Sequence, residues 1–439
     1  MTIVINTLEA GVYTEQINAL LANNDFDIEI IDTANMKIAH CMGCNQCWLK
    51  TPGVCAIKDD YETIVKKLVS ADNVWLVSDT KFGFIDYRGK RILDRIMPML
   101  NMYIIFRDGW MRHQLRYHPL NVGLIYKGDG DRQMLEEWCN RTAANLGGRS
   151  LGVLAIEEAS SQAITATTAT TATAEIATVD NSANPAIVAT TSTATTIAAT
   201  MSATTASAAT TSALEKVKHV TIINGSPRVK KFSNTDKIIQ SFALGLAEVG
   251  TTHKLYSLSN RSEWVEAREA FMNSDHIIIA LPLYVECVPS LMLEFLTTIP
   301  TDREQPAKIS FILHGGFDEG HQLRLGEQFL KSLPAKLGCT YGGTLVKGGS
   351  FMLRMRENEY IKKMTDKVLD AYIPMGKLFA QNGNFLFPEA KEFTGPEQIP
   401  WAQRQIIALV LKRIVKRKFD NFAKEWGCTR PLGDKVYEE

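Results

Sequence analysis

The chain has 439 residues, about three times the usual length of one domain, and its 45% hydrophobic and 22% charged residues are those of an ordinary globular protein. Forty-eight Lys and Arg balance 48 Asp and Glu, so no whole-chain field draws it to nucleic acid or to an anionic membrane. Met1 leads into Thr-Ile-Val-Ile-Asn without a basic leader, and no apolar run reaches the roughly 18 residues of a spanning helix. These features predict a cytoplasmic chain without a membrane span, whose eight cysteines stay reduced and serve metal, redox or core roles rather than disulfides.

From the amino end, short β-branched runs alternate with helical patterns. Strands are expected at Ile3–Ile5, Asp27–Ile31, Val74–Val77 and Val122–Tyr126, and helices at Thr14–Ala22, Asp59–Val69, Tyr87–Leu100 and Asp131–Asn145. Between the second strand and second helix lie Cys41, Cys44, Cys47 and Cys55, spaced C-x2-C-x2-C-x7-C. Four thiols this close can wrap one metal centre, an iron-sulfur cluster or zinc, or stand free in a packed loop. Cys139, Cys287, Cys339 and Cys428 are isolated and read as apolar packing residues.

Over 161–213, Ala and Thr make up 34 of 53 residues, with Glu175 and Asp180 the only charges. Such a tract lacks the large side chains needed to offset backbone entropy, and reads as a disordered linker over 160–213 spanning about 40 Å. A glycosylated stalk is the other reading and requires an exported protein.

Beyond it the alternation returns. Strands are expected at Val220–Ile223, His253–Tyr256, His276–Leu281, Lys308–Leu313 and Tyr341–Leu345, and helices at Thr235–Glu248, Trp264–Met272, Leu291–Leu296 and Leu323–Leu337. Such an order demands parallel sheets covered on both faces. The fold class is therefore α/β, with two tandem three-layer domains, at 1–159 and 214–350, and a helical extension over 351–439.

Ligands of such sheets sit beyond the carboxyl ends of the strands. There the second domain carries Asn224-Gly225-Ser226-Pro227-Arg228, then Ser233-Asn234-Thr235 opening a helix, a composition suited to an anion. Pro282, Leu283, Tyr284 and Val285 follow the third strand, and Gly315, Gly316, Phe317 and Asp318 follow the fourth, able to approach a planar ring. Together these motifs resemble the flavodoxin-like NAD(P)H-dependent FMN reductases over Lys216–Ser350. The resemblance implies that Ser226, Arg228, Ser233, Asn234 and Thr235 hold the FMN phosphate, while Pro282 to Val285 and Gly315 to Asp318 flank the isoalloxazine. It also implies a dimer, yet the family's Lys and Asp-Arg are absent from Leu291–Leu296.

The cysteine segment, with Asp59-Asp60, Lys81-Phe82-Gly83, Leu93-Asp94-Arg95 and Arg116-Tyr117, resembles the iron-sulfur flavoproteins over Met1–Gly152, which implies a [4Fe-4S] centre on the four cysteines. The first domain's own loop, Asn6-Thr7-Leu8-Glu9, places a carboxylate where a phosphate would sit. The reading is thus an FMN oxidoreductase that takes electrons from NAD(P)H and hands them to a small-molecule or protein acceptor. Its two domains are expected to pair as an intramolecular pseudo-dimer or within a homo-oligomer. A non-catalytic scaffold and a flavin electron carrier are the alternatives. Near the carboxyl end, Ile406, Ile407, Val410, Ile414 and Phe422 recur at helical spacing beside Lys412, Arg413, Lys416, Arg417 and Lys418. This stripe is expected to pack on a domain or partner, with an anionic membrane surface as the other reading.

Overall fold

Every residue of β1 (Thr2–Asn6) is buried, which a strand achieves only when both faces of its sheet are covered. It pairs in parallel with β2 (Ile28–Asp32) and β3 (Asn73–Lys81), to whose end the short β4 (Phe84–Ile85) adds antiparallel. The computed structural model describes residues 1–22, 27–159, 216–303, 305–354 and 359–438; the linker read over 160–213 lies outside them. The first sheet continues through β7 (Leu120–Lys127) to β8 (Gly147–Ala155), giving the order β2-β1-β3-β7-β8. A second sheet repeats the plan as β10 (Thr252–Ser257), β9 (His219–Asn224), β11 (His276–Pro282), β12 (Lys308–His314) and β13 (Thr340–Lys347), all parallel. Each half runs 2-1-3-4-5 in its own strands, the doubly wound order of flavodoxin-like folds. The expected pair of α/β sheets is what the chain forms.

Helices α1 (Thr14–Leu21), α3 (Tyr61–Ser70), α4 (Tyr87–Asp94) and α5 (Arg132–Asn145) flank the first sheet, and the four-residue α2 (Gln46–Leu49) lies inside the cysteine loop. Helices α6 (Asn234–Glu248), α7 (Trp264–Met272), α8 (Ser290–Leu296) and α9 (Arg324–Lys336) flank the second. Side chains set several starts: Asp86 accepts from the amides of Arg88 and Gly89, Asp131 from Met134, and Ser233 from Asp236.

The helix expected over Tyr87–Leu100 stops at Asp94. Pro98 cannot continue it, and the apolar residues beyond form β5 (Leu100–Arg107), which folds back on β6 (Trp110–Leu115) as a hairpin apart from either sheet. Neither that hairpin nor β8 is foreseen by the alternation, because β8 is Gly-rich and only Val153 on it is buried.

The extension supplies α10 (Glu359–Asp370), α11 (Tyr372–Asn382), α12 (Pro388–Glu392), α13 (Trp401–Val410) and α14 (Lys416–Glu425), the last two joined by a π turn over Leu411–Val415. Helix α11 lies so close to α6 that a Cβ on Gly245 would stand 1.9 Å from the carbonyl oxygen of Ile373, and one on Gly376 2.2 Å from that of Phe242. The last helix differs from expectation. It buries Leu411, Phe419 and Ala423, and Ile407 and Phe422 of the anticipated packing stripe pack half-buried against the body, whereas Ile406, Val410 and Ile414 are exposed. The π turn inserts a residue and rotates the register that a uniform period of 3.6 assumes.

The two halves meet within one compact unit, Met1–Ala159 with Lys216–Glu439. Helix α4 lies on α8, and Phe84 packs its ring 5.4 Å from Trp138 and 5.5 Å from Phe329 of the other half. Lys90 and Asp94 of α4, 0% and 2% exposed, form an ion pair. Lys90 also donates to the carbonyl of Tyr284 at 2.7 Å, and Asp94 accepts the amide of Ser290 at 2.8 Å. Lys90 and Asp94 thus reach across to the second half from the helix that occupies in the first sheet the place of α8 in the second, whereas Arg95, among the described residues, bonds only within the first half.

Across the same contact His40 touches the Ser290 hydroxyl at 2.7 Å and the Glu294 carboxylate at 2.5 Å, which Arg261 also holds. Burial raises the Glu294 pKa, but the hydrogen bonds from His40 and Arg261 outweigh it and bring the carboxyl down from 4.5 to about 2. A depressed carboxyl stabilises the fold above its unfolded pKa and loses that contribution as pH falls through its folded one. Glu294→Gln is therefore expected to melt below wild type at pH 7 and to match it near pH 2, a comparison that calorimetry across that range would make.

Candidate functional site

The loops beyond β9, β11 and β12 converge on a cavity of about 270 Å³. Ser226, Arg228, Asn234, Thr235, Pro282, Leu283, Tyr284, Val285, Gly315, Gly316 and Phe317 all line it. Ser233 and Asp318 do not. Ser233 instead caps α6 through its hydroxyl, and Asp318 packs beneath the Gly348-Gly349 turn, where burial raises its carboxyl pKa.

At one end the site is cationic. The first amides of α6 have no intrahelical acceptor and point their dipole into the cavity. Arg228 and Arg354 both line this end. Burial and then the neighbouring Arg228 charge lower Arg354 to about 9, and among the described residues no carboxylate pairs with either guanidinium. Arg228 reaches the Gly43 carbonyl in the cysteine loop. Two guanidiniums that no carboxylate among the described residues neutralises, at a helix start, fit a phosphate.

Behind them the proton order can be traced. The Ser350 hydroxyl donates to the Gly315 carbonyl at 2.7 Å, so His314 Nδ1 donates to Ser350 at 2.9 Å, and Nε2 accepts from Thr235 at 2.8 Å. Burial and Arg228 bring His314 down to about 3, so it is neutral, as this order requires. The Thr235 hydroxyl is thereby committed, and its backbone amide is what it offers a ligand.

The middle of the site is strained. Val285 and Glu286 adopt φ of 40° and 64°, a region a β-branched residue avoids. The first half over-determines that turn. Trp138 Nε1 donates to the Val285 carbonyl at 3.1 Å, while Arg141 at 2.6 Å and Asn145 at 2.5 Å hold the Glu286 carboxylate. With Lys90 on Tyr284, four side chains of the first half fix the loop.

The first half also supplies the roof: Cys41, Gly43, Asn45 and Trp48 of the cysteine loop, and His113 of β6. The rings of Trp48 and His113 lie 4.2 Å apart and those of His113 and Phe317 5.2 Å, making an aromatic wall. Burial lowers His113 to about 4, so it too is neutral. Arg354, His113, Trp48 and the α5 residues escape sequence reasoning because no local spacing links them to the loops; only the Trp48 position, beside the cysteines, carries a signal.

Of the four clustered cysteines only Cys41 faces the cavity. Burial pushes Cys41 up to about 12 and Cys47 well above its usual value; Cys41 also feels Cys55 and Cys44, and Cys47 feels Cys41, Cys55 and Cys44. Among the described residues no group of three or more His, Cys, Asp or Glu stands close enough, as the side chains are placed, to hold a metal ion. The Gly43 amide and Arg95 already direct donors at Cys41 and Cys55, each at 3.4 Å.

No family model matches the chain. Over 85 residues, 19% of its length, it is 36% identical to an iron-sulfur flavoprotein of Methanocaldococcus jannaschii, of which it spans 42%. Among solved structures it is similar to an FMN-dependent NADH-azoreductase of Bacillus anthracis at 14% identity, covering 35% of this chain and 100% of that one, with a TM-score of 0.26. An NAD(P)H:quinone oxidoreductase of Methanothermobacter marburgensis aligns at 14% identity over 38% of this chain and 96% of its own, with a TM-score of 0.29. In sequence, then, the chain is similar to an iron-sulfur flavoprotein over two fifths of that protein's length.

Proposed function

We propose that the cavity binds FMN and that the chain is an NAD(P)H-dependent oxidoreductase passing electrons to a small-molecule or protein acceptor. The observation that carries this reading is the Arg228 and Arg354 pair at the start of α6, paired with no carboxylate among the described residues, leading into a strained loop and an aromatic wall. Arg228, Arg354 and the first amides of α6 would hold the phosphate. Backbone groups of Pro282 to Val285 and of Gly315 and Gly316 would meet the ring edges. Trp48, His113 and Phe317 shut bulk water from the ring. Bound FMN supplies hydride acceptance and onward electron transfer, which the protein assists chiefly by position and electrostatics. The first half takes the place of a second subunit. The test is optical: purified protein is expected to carry yellow FMN that NADPH or NADH bleaches. Colour inert to both would mark an electron carrier, and a colourless chain that takes up no FMN a binding scaffold.

The similarity to an iron-sulfur flavoprotein extends the proposal to a [4Fe-4S] centre on Cys41, Cys44, Cys47 and Cys55, supplying one-electron transfer beside the cavity. Anaerobically purified protein is expected to hold about four irons per chain. Cys44→Ser should lose them and keep FMN, since Cys44 is not on the cavity wall; wild-type protein without iron would remove the cluster from the reading.

A further inference from the structure

The closing helix, from Trp401 to Glu425, is apolar on two faces. One buries Leu411, Phe419 and Ala423 against the body of the protein, where Asp420 accepts a hydrogen bond from Tyr103 at 2.5 Å. The other turns Ile406 (65% exposed), Leu409 (57%) and Ile414 (51%) to solvent, and Trp401 stands at its start, 69% exposed. A helix on a protein surface ordinarily sets polar groups there.

Charge identifies what covers this face. Between Trp401 and Trp426 seven Lys and Arg face two acids, leaving 41 basic against 46 acidic residues in the remainder of a neutral chain. Exposed Lys412, Arg413 and Arg417 adjoin the aliphatic residues. A second copy presenting the same patch across a two-fold axis would set cation against cation. An occupant that is anionic, and soft enough to take Ile, Leu and Trp side chains, is the surface of an anionic lipid bilayer.

We propose that this helix seats the protein on an anionic lipid surface. Ile406, Leu409 and Ile414 enter the boundary between headgroups and acyl chains, Lys412, Arg413 and Arg417 meet the phosphates, and Trp401 lies at the headgroup level. Among the described residues no helix is long and apolar enough to cross a membrane, so this contact lies along the surface. It is independent of the flavin reading.

The experiment is sedimentation of the full chain with vesicles of phosphatidylcholine containing roughly a third phosphatidylglycerol, beside pure phosphatidylcholine. Binding is expected to the first only, and to fall as salt shortens the Debye length. Ile406→Asp with Ile414→Asp, and separately Arg413→Glu with Arg417→Glu, should each lower partitioning on the order of tenfold or more. All four positions are exposed, so circular dichroism should be unchanged; should one pair fail to fold, the other carries the test alone. Absence of binding to anionic vesicles, or binding indifferent to a folded pair, overturns the proposal. So does a vesicle-free dimer that Ile406→Asp dissolves, which would give the face to a second copy.

Discussion

Lys90→Met is expected to lower FMN affinity by about a hundredfold or more, although Lys90 does not line the cavity. The substitution removes the cation that Asp94, itself buried, needs, and an uncompensated buried charge costs about 3 to 5 kcal/mol. It also releases the Tyr284 carbonyl, and with it one of the tethers of the strained Val285-Glu286 turn. The two consequences separate in Lys90→Met with Asp94→Leu. An apolar pair of similar volume can restore stability, but it cannot donate to Tyr284. The double variant should regain most of the melting temperature and stay weak for FMN by equilibrium dialysis. Recovery of both would show that Lys90 serves only the fold.

Arg228→Glu should abolish FMN retention while shifting the melting temperature by only a few degrees. It puts a carboxylate beside the place assigned to a phosphate dianion and leaves Arg354 to neutralise it alone. Each charge-assisted bond to such an anion is worth roughly 1.5 to 3 kcal/mol, and reversal adds repulsion, so a loss beyond a thousandfold is expected. A variant that keeps stoichiometric FMN would show the phosphate assignment to be wrong. Glu9 in the first half is a natural counterpart of this change: there the corresponding loop already carries a carboxylate.

Strands and helices of the two sheets were readable because both are built from short buried runs and long amphipathic ones. Where a single residue broke the pattern the reading slipped: Pro98 stops a helix whose apolar period continues on paper, and the glycines of β8 hide a strand. The binding loops were legible because a strand-to-helix turn concentrates its chemistry in a few neighbours, as in Ser226 to Arg228 and Asn234-Thr235. What lies opposite was not. Trp138, Arg141 and Asn145 sit on an ordinary-looking helix more than 130 residues before the loop they hold, and helical periodicity reports only that one side of α5 is apolar. Arg354 is invisible for the same reason. The missing Lys and Asp-Arg of α8 were legible as an absence, yet their meaning depended on α4 standing against it.

Because both sheets belong to one polypeptide, a substitution strikes one of them alone. In a pair of identical subunits every change recurs at its symmetry mate, so a loop cannot gain a carboxylate on one side and keep its guanidinium on the other. Here Glu9 and Arg228 coexist, and Lys90 acts across the contact in one direction only. Covalent linkage also removes protein concentration from the problem. The first half stays near the second at an effective concentration fixed by the chain itself, however little protein a cell makes. Dilution, which would strip the roof from a two-chain version of this cavity, leaves this one closed.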